Sequence, residues 1–558
     1  MRVGFGYQAG MPELVLGPIL RYVSDTEATV WVETDGPCEV EVLDHRAHTF
    51  GVEDHHYALV SIHGLEPGTT YEYEVSLDGE GRWPDPDSEL PRSVIRTVAP
   101  NGRVDLIFGS CRAALPHHPP YTLPKDEDER GRGLDALHTL ALSMIESEPD
   151  RWPELVLLLG DQVYGDEVSP QALDFIRSRR DTTPPPGEEV ADFEEYTRLY
   201  LESWSDPVIR WLFSTTSIAM VIDDHDMHDD WNISRSWLEE MRRRPWWQER
   251  VVAGLMSYWI YQFIGNLSPG ELEQNELYRR VRELGEAGPE LRKFAAKEDR
   301  EREGKRWSYY RDLGSTRLIV MDVRTGRVLD EGRRSIFDEE EWDWVQEKVR
   351  GDFDHLLIGT SDPYLLAPGL HHLEAWNEAV CGGVWGAAAA RIGERMRQGL
   401  DCDHWAAFQR SFTRLTRLLE EVGSGRRGRP PSSICILSGD VHHAYLAEVA
   451  FRRDANVRSA VYQAVCSPFR KALDAHERRA VLAATTRPAE SLLRSLARAA
   501  GVDDAGIRWR FAGGPYFDNQ IATLSLEGRE ARLTISKTVH DPQAEGAQLE
   551  TVLDRRIA

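Results

Sequence analysis

Seven short apolar runs constrain this chain more than any other feature. They are DLIFGSCR (Asp105 to Arg112), LVLLLGDQVY (Leu155 to Tyr164), AMVIDDHD (Ala219 to Asp226), RLIVMDVR (Arg317 to Arg324), LLIGTSD (Leu356 to Asp362), CILSGDVHH (Cys435 to His443) and VYQAVCS (Val461 to Ser467). Each has the length of a strand and stops abruptly in polar or small residues. An apolar run without alternation is a strand buried on both faces, as in sheets covered by helices. The intervening stretches read as largely helical, among them Leu134 to Glu148 and His404 to Val422, and Trp237 to Arg306 reads as a long, charged, Trp-rich helical insertion. In such sheets chemistry gathers in loops beyond the carboxyl ends of the strands. Several of these runs deliver Asp, His or Cys there.

Ahead of them, from about Leu14 to Thr97, the pattern differs. Ala28 to Glu33, Cys38 to Leu43 and Tyr71 to Leu77 alternate, carry Val, Thr, Tyr and Trp, and are separated by turn residues. That predicts half-buried strands in an antiparallel β-sandwich. In GLEPGTTYEYEV, Gly64 to Val75, a Pro-Gly turn precedes a strand expected to carry Tyr71, Tyr73 and Val75 on one face, and this resembles fibronectin-III- or Ig-like modules. The boundary falls near Val98 to Gly102. The expected organisation is therefore a small β-domain over 1–99 and a large α/β domain over 100–558, with its helical insertion at about 237–306.

Composition narrows the function classes. With 93 acidic and 66 basic residues the formal charge is −27, which disfavours a non-specific grip on nucleic acid or an anionic membrane surface. The N-terminal MRVGFGYQAGMPELVLG has no basic segment leading into an apolar one, and no stretch approaches the ~18 apolar residues of a membrane span. The six cysteines are far apart and lack CxxC spacing. These readings together predict a soluble cytoplasmic protein with free thiols and no strong nucleic-acid binding.

Asp161, Asp223, Asp224, Asp226, Asp229, Asp230 and Asp440, with His225, His228, His442 and His443, all follow strands. Brought together, so many carboxylates need a cation among them. Carboxylates alone suit calcium, magnesium or manganese; imidazole, phenolate and thiolate shift the preference toward iron or zinc. Cys111 and Tyr164, taken singly, are more often core residues, and it is their place at strand ends that makes them candidates.

In order along the chain, GSCR (Gly109 to Arg112), GDQVY (Gly160 to Tyr164), DDHDMHDDW (Asp223 to Trp231) and SGDVHH (Ser438 to His443) resemble the PhoD-like alkaline phosphatases and phosphodiesterases of the calcineurin-like metallophosphoesterase fold. The resemblance implies an αββα sandwich behind the N-terminal β-sandwich, and hydrolysis of a small phosphoester. It implies that Asp161 bridges metals, that Cys111 and Tyr164 bind a ferric ion, that Asp224 binds a second metal, and that Asp440 and His442 complete the site. The family type holds Fe3+ with Ca2+; Zn2+, Mn2+ and Mg2+ are alternatives. His225 is expected to protonate the leaving oxygen or orient the phosphate, and Arg112 to clamp a phosphate oxygen. The chain departs from the family where Asp226 replaces Glu and Asp229-Asp230 replace an Asn pair, and it lacks the usual twin-arginine export signal.

Two rival readings are weaker. CGGVWGAAAARIGERM (Cys381 to Met396) clusters glycines before a helical run, as nucleotide-binding oxidoreductases do, but lacks GxGxxG spacing and a leading strand. A catalytically inactive binding protein of the same fold is disfavoured because Asp161 and His442 are present.

Overall fold

The computed structural model describes residues 11–301, 304–541 and 546–558. Residues 1–10, part of the segment read for an export signal, and residues 302–303 of the expected insertion lie outside the described residues.

The N-terminal part holds β1 (Leu14–Val23), β2 (Glu27–Thr34), β3 (Glu39–Val42), β4 (His45–His48), β5 (Phe50–Val52), β6 (His55–His63), β7 (Thr70–Glu72), β8 (Val75–Leu77), β9 (Glu80–Trp83) and β10 (Val94–Arg96). One sheet has the order β1-β2-β6-β5, another β4-β3-β8-β9, and β10 pairs with β7; all neighbours are antiparallel. Alternation in β2 separates two apolar faces rather than an apolar face from a polar one. Ala28, Val30 and Val32 enter a core shared with Val40, Val42, Val75 and Leu77 of the second sheet. Trp31, between them, joins Tyr57 and Leu59 in the core of the large α/β part. The first sheet is thus buried on both faces, and truncating the fully buried Trp31 to Ala costs about 3–5 kcal/mol. Arg21 of β1 fastens the seam, donating to the carbonyls of Ile218 (3.1 Å), Tyr261 (2.6 Å) and Gln262 (2.5 Å).

The stretch Tyr71 to Leu77, expected as one strand, is two. The chain leaves β7 and enters β8 in a different sheet, turning at Tyr73, whose N–H donates to Ser93 O and whose hydroxyl donates to Ser214 O at 2.6 Å. Fixing that phenol against the α/β part breaks the strand.

The α/β part adds β11 (Val104–Gly109), β12 (Leu155–Leu159), β13 (Ser217–Val221), β14 (Tyr309–Leu313), β15 (Thr316–Met321), β16 (His355–Thr360), β17 (Ser433–Ser438), β18 (Ala444–Phe451), β19 (Ala460–Val465), β20 (Ile507–Tyr516), β21 (Gln520–Glu527), β22 (Glu530–Asp541) and β23 (Gly546–Arg556). All seven apolar runs become strands: β11, β12, β13, β15, β16, β17 and β19. One sheet runs β13-β12-β11-β21-β22-β23 and the other β14-β15-β16-β17-β19-β18-β20. Within each sheet the apolar runs are mutually parallel. The sheets meet where Leu157 and Leu159 of β12 press on Gly359 of β16, leaving 3.3 and 3.5 Å for any added Cβ.

The insertion is helical, with Trp247–Ser257 and Gly288–Arg300 among its helices and a π-helical turn at Tyr258–Phe263. Trp237, Trp247 and Trp259 are buried core residues. The glycines after Cys381 join two helices, Pro368–Cys381 and Ala387–Gly399, with no strand leading in, so they are not a nucleotide loop. No helix among the described residues is long and apolar enough to cross a membrane, and all six cysteines are unpaired.

Candidate metal centre

The carboxyl ends of β11, β12 and β13 from one sheet and β15, β16 and β17 from the other open toward a common point. Four of the expected ligands adopt left-handed backbone there: Cys111 (φ 57°), Asp161 (φ 53°), Asp440 (φ 65°) and His442 (φ 50°). Non-glycine residues rarely occupy that region, and each one costs on the order of 1 kcal/mol that surrounding contacts must outweigh. The contacts are present. Cys111 N–H donates to Gly160 O, Arg112 N–H donates to Asp161 O, and Asp440 N–H donates to Ser110 Oγ at 2.9 Å. Gly160 (φ 102°) is required beside Asp161, because a Cβ there would collide with the side chain of Asp223.

These turns bring the ligand atoms together. Cys111, Asp161 and His442 place theirs within 4.8 Å of one another, and so do Asp161, Asp224 and His225, and Asp223, Asp224 and Asp440. Asp161 belongs to two of the groups. Tyr164 joins through its hydroxyl, 3.4 Å from Asp161 Oδ2. Within this cluster the buried Asp161 Oδ1, Asp223 Oδ2 and Asp224 Oδ1 accept no hydrogen bond. Burial pushes the Asp161 carboxyl up to about 8, and burial with the Asp161 and Asp440 carboxylates raises the Cys111 thiol well above its ordinary value. Neither ionises readily in this environment without a cation. His442 shows the converse: burial lowers it to about 3 and keeps the imidazole neutral, the form that binds metal. A mixed thiolate, carboxylate and imidazole set with orphaned oxygens fits metal ions.

One cation already present was not anticipated from the sequence. Arg324, in the loop just beyond β15, donates from Nε to Asp223 Oδ1 (2.5 Å) and pairs with Asp362 (2.9 Å), Asp224 (3.5 Å), Asp440 (3.8 Å) and Asp403. Arg327 Nη2 donates to Asp362 Oδ2 at 2.6 Å. His404 is also new: its Nε2 meets Asp440 Oδ2 and its Nδ1 meets Glu374, both at 2.8 Å. His404 and Arg324 outweigh burial and hold Asp440 below the usual carboxylate range.

Asp226, which stands where the family has Glu, is committed to the backbone of the site. Its two oxygens accept the backbone N–H groups of Asp161, Gln162, Val163 and Asp223 at 3.0–3.1 Å, and Gln262 of the π-helical turn at 3.2 Å. Asp230 contributes its backbone N–H to Asp224 Oδ2 (3.1 Å), and the Asp229 side chain is exposed. His225 Nδ1 lies 3.0 Å from Asp166, and its Nε2 lies 3.8 Å from Asp229. Burial disfavours its charge, but Asp224, Asp166 and Asp161 outweigh that and raise it well above the ordinary histidine value. Arg112 is not a free clamp. Its Nε and Nη1 are committed to Asp135 Oδ2 (2.8 Å) and Ser203 O (2.7 Å), and a two-pronged grip on phosphate would break those bonds.

Beside Tyr164 a cavity of about 390 Å³ is lined by Arg112, Arg132, Glu167 and Lys471 among others. The Lys471 ammonium lies 4.0 Å from the Tyr164 ring centroid and 2.9 Å from Glu167. His443 is buried with Nδ1 2.6 Å from Val441 O, and His228 packs against Trp237 and Trp247.

The family model for PhoD-like phosphatases matches residues 141–496, and that for a domain of unknown function, DUF7800, matches residues 11–95. A solved structure of PhoD superposes at a TM-score of 0.60 and 12% identity, covering 100% of this chain and 94% of the other. At that identity the likeness shows a shared fold. The structure of purple acid phosphatase PPD1 from yellow lupin (Lupinus luteus) seeds gives a TM-score of 0.45 at 10% identity, over 97% of this chain and 74% of that one. No curated protein matches the sequence.

Proposed function

The chain belongs to the PhoD-like phosphatase family, and from that premise we propose that it is a metal-dependent phosphoester hydrolase, phosphatase or phosphodiesterase, acting at the centre around Asp161. The observation that carries this reading is the convergence of Cys111, Asp161 and His442 with Asp224 and Asp440 around carboxylate oxygens that no protein donor satisfies. Asp161, shared by two of the groups, is the proposed bridge; Cys111, Tyr164 and His442 are proposed to hold a ferric ion, and Asp224 and Asp440 a calcium ion. Bound there, the metals would supply an activated water and hold phosphoryl oxygens.

The chain's own residues do the rest. His225, fixed at Nδ1 by Asp166, is placed to hold a proton at Nε2 for the departing oxygen. Asp166 orients that ring, as second partners of catalytic histidines do. Lys471, on the cavity side of Tyr164, supplies a cation for a phosphoryl oxygen without dismantling the Arg112–Asp135 pair. Glu374 and His404 aim Asp440, and Arg324 offsets the charge of the carboxylates behind it. The cavity beside Tyr164 is large enough to take the organic group of the ester.

The test is hydrolysis of mono- and bis-nitrophenyl phosphate by protein purified without chelator, with its metals counted, before and after demetallation. Turnover is expected to disappear with the metals and return on reconstitution. Equal rates from fully demetallated protein would overturn the mechanism.

A further inference from the structure

Lys471 lies in irregular backbone between Arg470 and the helix Ala475–Ala484, and two contacts set its place. Toward the metal centre, Arg470 N–H donates to Cys111 O and Arg470 O accepts Ala113 N–H, both at 3.1 Å. On the other side the N–H of Lys471 itself donates to Asn519 Oδ1 at 3.2 Å. Asn519 is buried in the turn between β20 and β21, and its Nδ2 donates to the carbonyls of Arg132 and Leu134, both at 2.7 Å. All three partners are main-chain groups: two acceptors face the NH2 and one donor faces the oxygen. An amide meets that pattern, and a carboxylate or hydrocarbon of the same size does not. Gly133 (φ 74°) makes room for it, because a Cβ there would stand 2.8 Å from Asn519 Nδ2.

The segment anchored in this way, residues 113–134, carries no helix or strand. It is a partition. On one face it supplies Leu115, Tyr121 and Arg132 to the cavity beside Tyr164, and on the other it borders a second cavity of about 550 Å³ that Arg132 and Asn519 also line. A loop of this length takes its shape from its anchors. The buried Arg470 guanidinium holds the carbonyls of Leu115, Pro116, Tyr121 and Gly133 at 2.5–3.2 Å, and Asn519 holds the two on either side of Gly133. The side chains of Lys471 and Arg132 meet again at Glu167, at 2.9 and 3.7 Å. Asn519 thus ties the two main chains whose cations Glu167 draws together.

We propose that Asn519 is a positioning residue for substrate binding that acts through Lys471: its amide fixes the Lys471 backbone against the partition, so that the ammonium lies over the Tyr164 ring, 4.0 Å from the centroid. The inference rests on the reading of Lys471 as the cation for a phosphoryl oxygen. Such oxygens are anionic in the ground state and in the transition state alike, so a displaced ammonium weakens both and KM rises while kcat holds. The side-chain bonds of Asn519 reach none of the proposed metal ligands, and metal content is expected to stay constant.

The experiment measures metal content, nitrophenyl phosphate hydrolysis and inhibition by inorganic phosphate in full-length wild type, Asn519→Ala, Lys471→Met and the double variant. Each single variant is expected to keep its metals and to raise KM and the phosphate inhibition constant about 10-fold, the low end for one hydrogen bond to a charged group, with kcat within about threefold. The double variant should be no worse than Lys471→Met, because no ammonium remains to be positioned. Gly133→Ala, which presses on the amide without removing it, should repeat the pattern alone and with Lys471→Met, and it serves where Asn519→Ala does not fold. Effects that multiply in the double variants, metal loss in Asn519→Ala, or a wild-type KM in Asn519→Ala beside a raised one in Lys471→Met would overturn the positioning role. A wild-type KM in Lys471→Met would overturn the reading of Lys471, and this inference with it.

Discussion

Replacing Asp226 by Asn keeps the shape of the side chain and swaps one carboxylate oxygen for an NH2 group. In the native arrangement Oδ2 accepts Asp161 N–H (3.1 Å) and Asp223 N–H (3.0 Å), and Oδ1 accepts Gln162 N–H (3.0 Å), Val163 N–H (3.1 Å) and Gln262 Nε2 (3.2 Å). Whichever way the amide turns, its NH2 faces at least two donors. At about 1.5–3 kcal/mol for each hydrogen bond to a charged acceptor, losing two costs about 3–6 kcal/mol, before counting donors left buried and unpaired. That is a large share of a typical folding free energy of roughly 5–15 kcal/mol. Because these amides hold Asp161 in its left-handed turn, the damage is expected first at the metal centre. Hydrogen exchange should show the amides of 161–163 opening at least 100-fold more readily in Asp226→Asn, and urea unfolding should show a lower midpoint. Activity should fall in parallel. Wild-type exchange at 161–163, together with a stability loss under about 1 kcal/mol, would refute the reasoning.

Three further expectations follow from the same geometry. His55 sits between Glu33 (2.8 Å) and Glu194 (2.9 Å), and although burial lowers it, these two carboxylates win and raise it to about 9. Its folded value exceeds the unfolded one near 6.5, so its contribution of up to about 3 kcal/mol is complete below about pH 6.5 and lost as pH rises through 9. His55→Asn should therefore destabilise strongly at pH 6 and hardly at pH 10 in urea titrations, and an equal effect at both would contradict the pairing. Asp161→Asn should lose metal and at least ~10³-fold in kcat, whereas Asp166→Asn should keep its metals, lose ~10–100-fold, and move the alkaline limb of the pH–rate profile to lower pH, because the carboxylate that raises His225 is gone; metal loss in Asp166→Asn would move that residue into the ligand set. Purified protein should be coloured through phenolate and thiolate bound to iron, with Tyr164→Phe and Cys111→Ser shifting the absorption separately; colourless, iron-free, fully active protein would refute the ferric assignment.

The parallel strands and most of the residues that converge beyond their ends were legible in the sequence because each apolar run is continuous and breaks off directly into its motif. Other elements carried no such signal. In β20, IRWRFAGGPY, mostly half-buried positions mix charge, aromatics and glycine, so neither apolar continuity nor clean alternation marks the strand. Tyr71 to Leu77 alternates as one strand would, and only the distant Ser214 carbonyl that receives the Tyr73 hydroxyl explains the break. Arg324 ends a run that was recognised, yet its partners Asp223, Asp362 and Asp403 come from three other segments, and nothing local distinguishes it from a solvated arginine. His404 and Asp166 are hidden for the same reason: each acts on a residue more than thirty positions away.

Arg324 also changes what the acidic cluster implies. A pile of carboxylates argues for a cation, but it does not say which kind, and here the demand is met differently on the two sides. Toward β15 and β16, Asp223, Asp362 and Asp403 are bound directly by the guanidinium groups of Arg324 and Arg327, so the chain itself supplies two cations to these three carboxylates. Breaking such a buried pair typically costs about 3–5 kcal/mol, which assigns Arg324 a part in the stability of the site independent of metal. Toward β11 and β12 the balance differs. Asp161 keeps an unpartnered buried oxygen, Cys111 is held as a thiol by burial and by the carboxylates around it, and Lys471 reaches the region across the ring of Tyr164 rather than by a direct bond. The uncompensated charge is concentrated at Asp161, between the groups containing Cys111 and Asp224, and that is where the fold leaves the strongest call for metal ions.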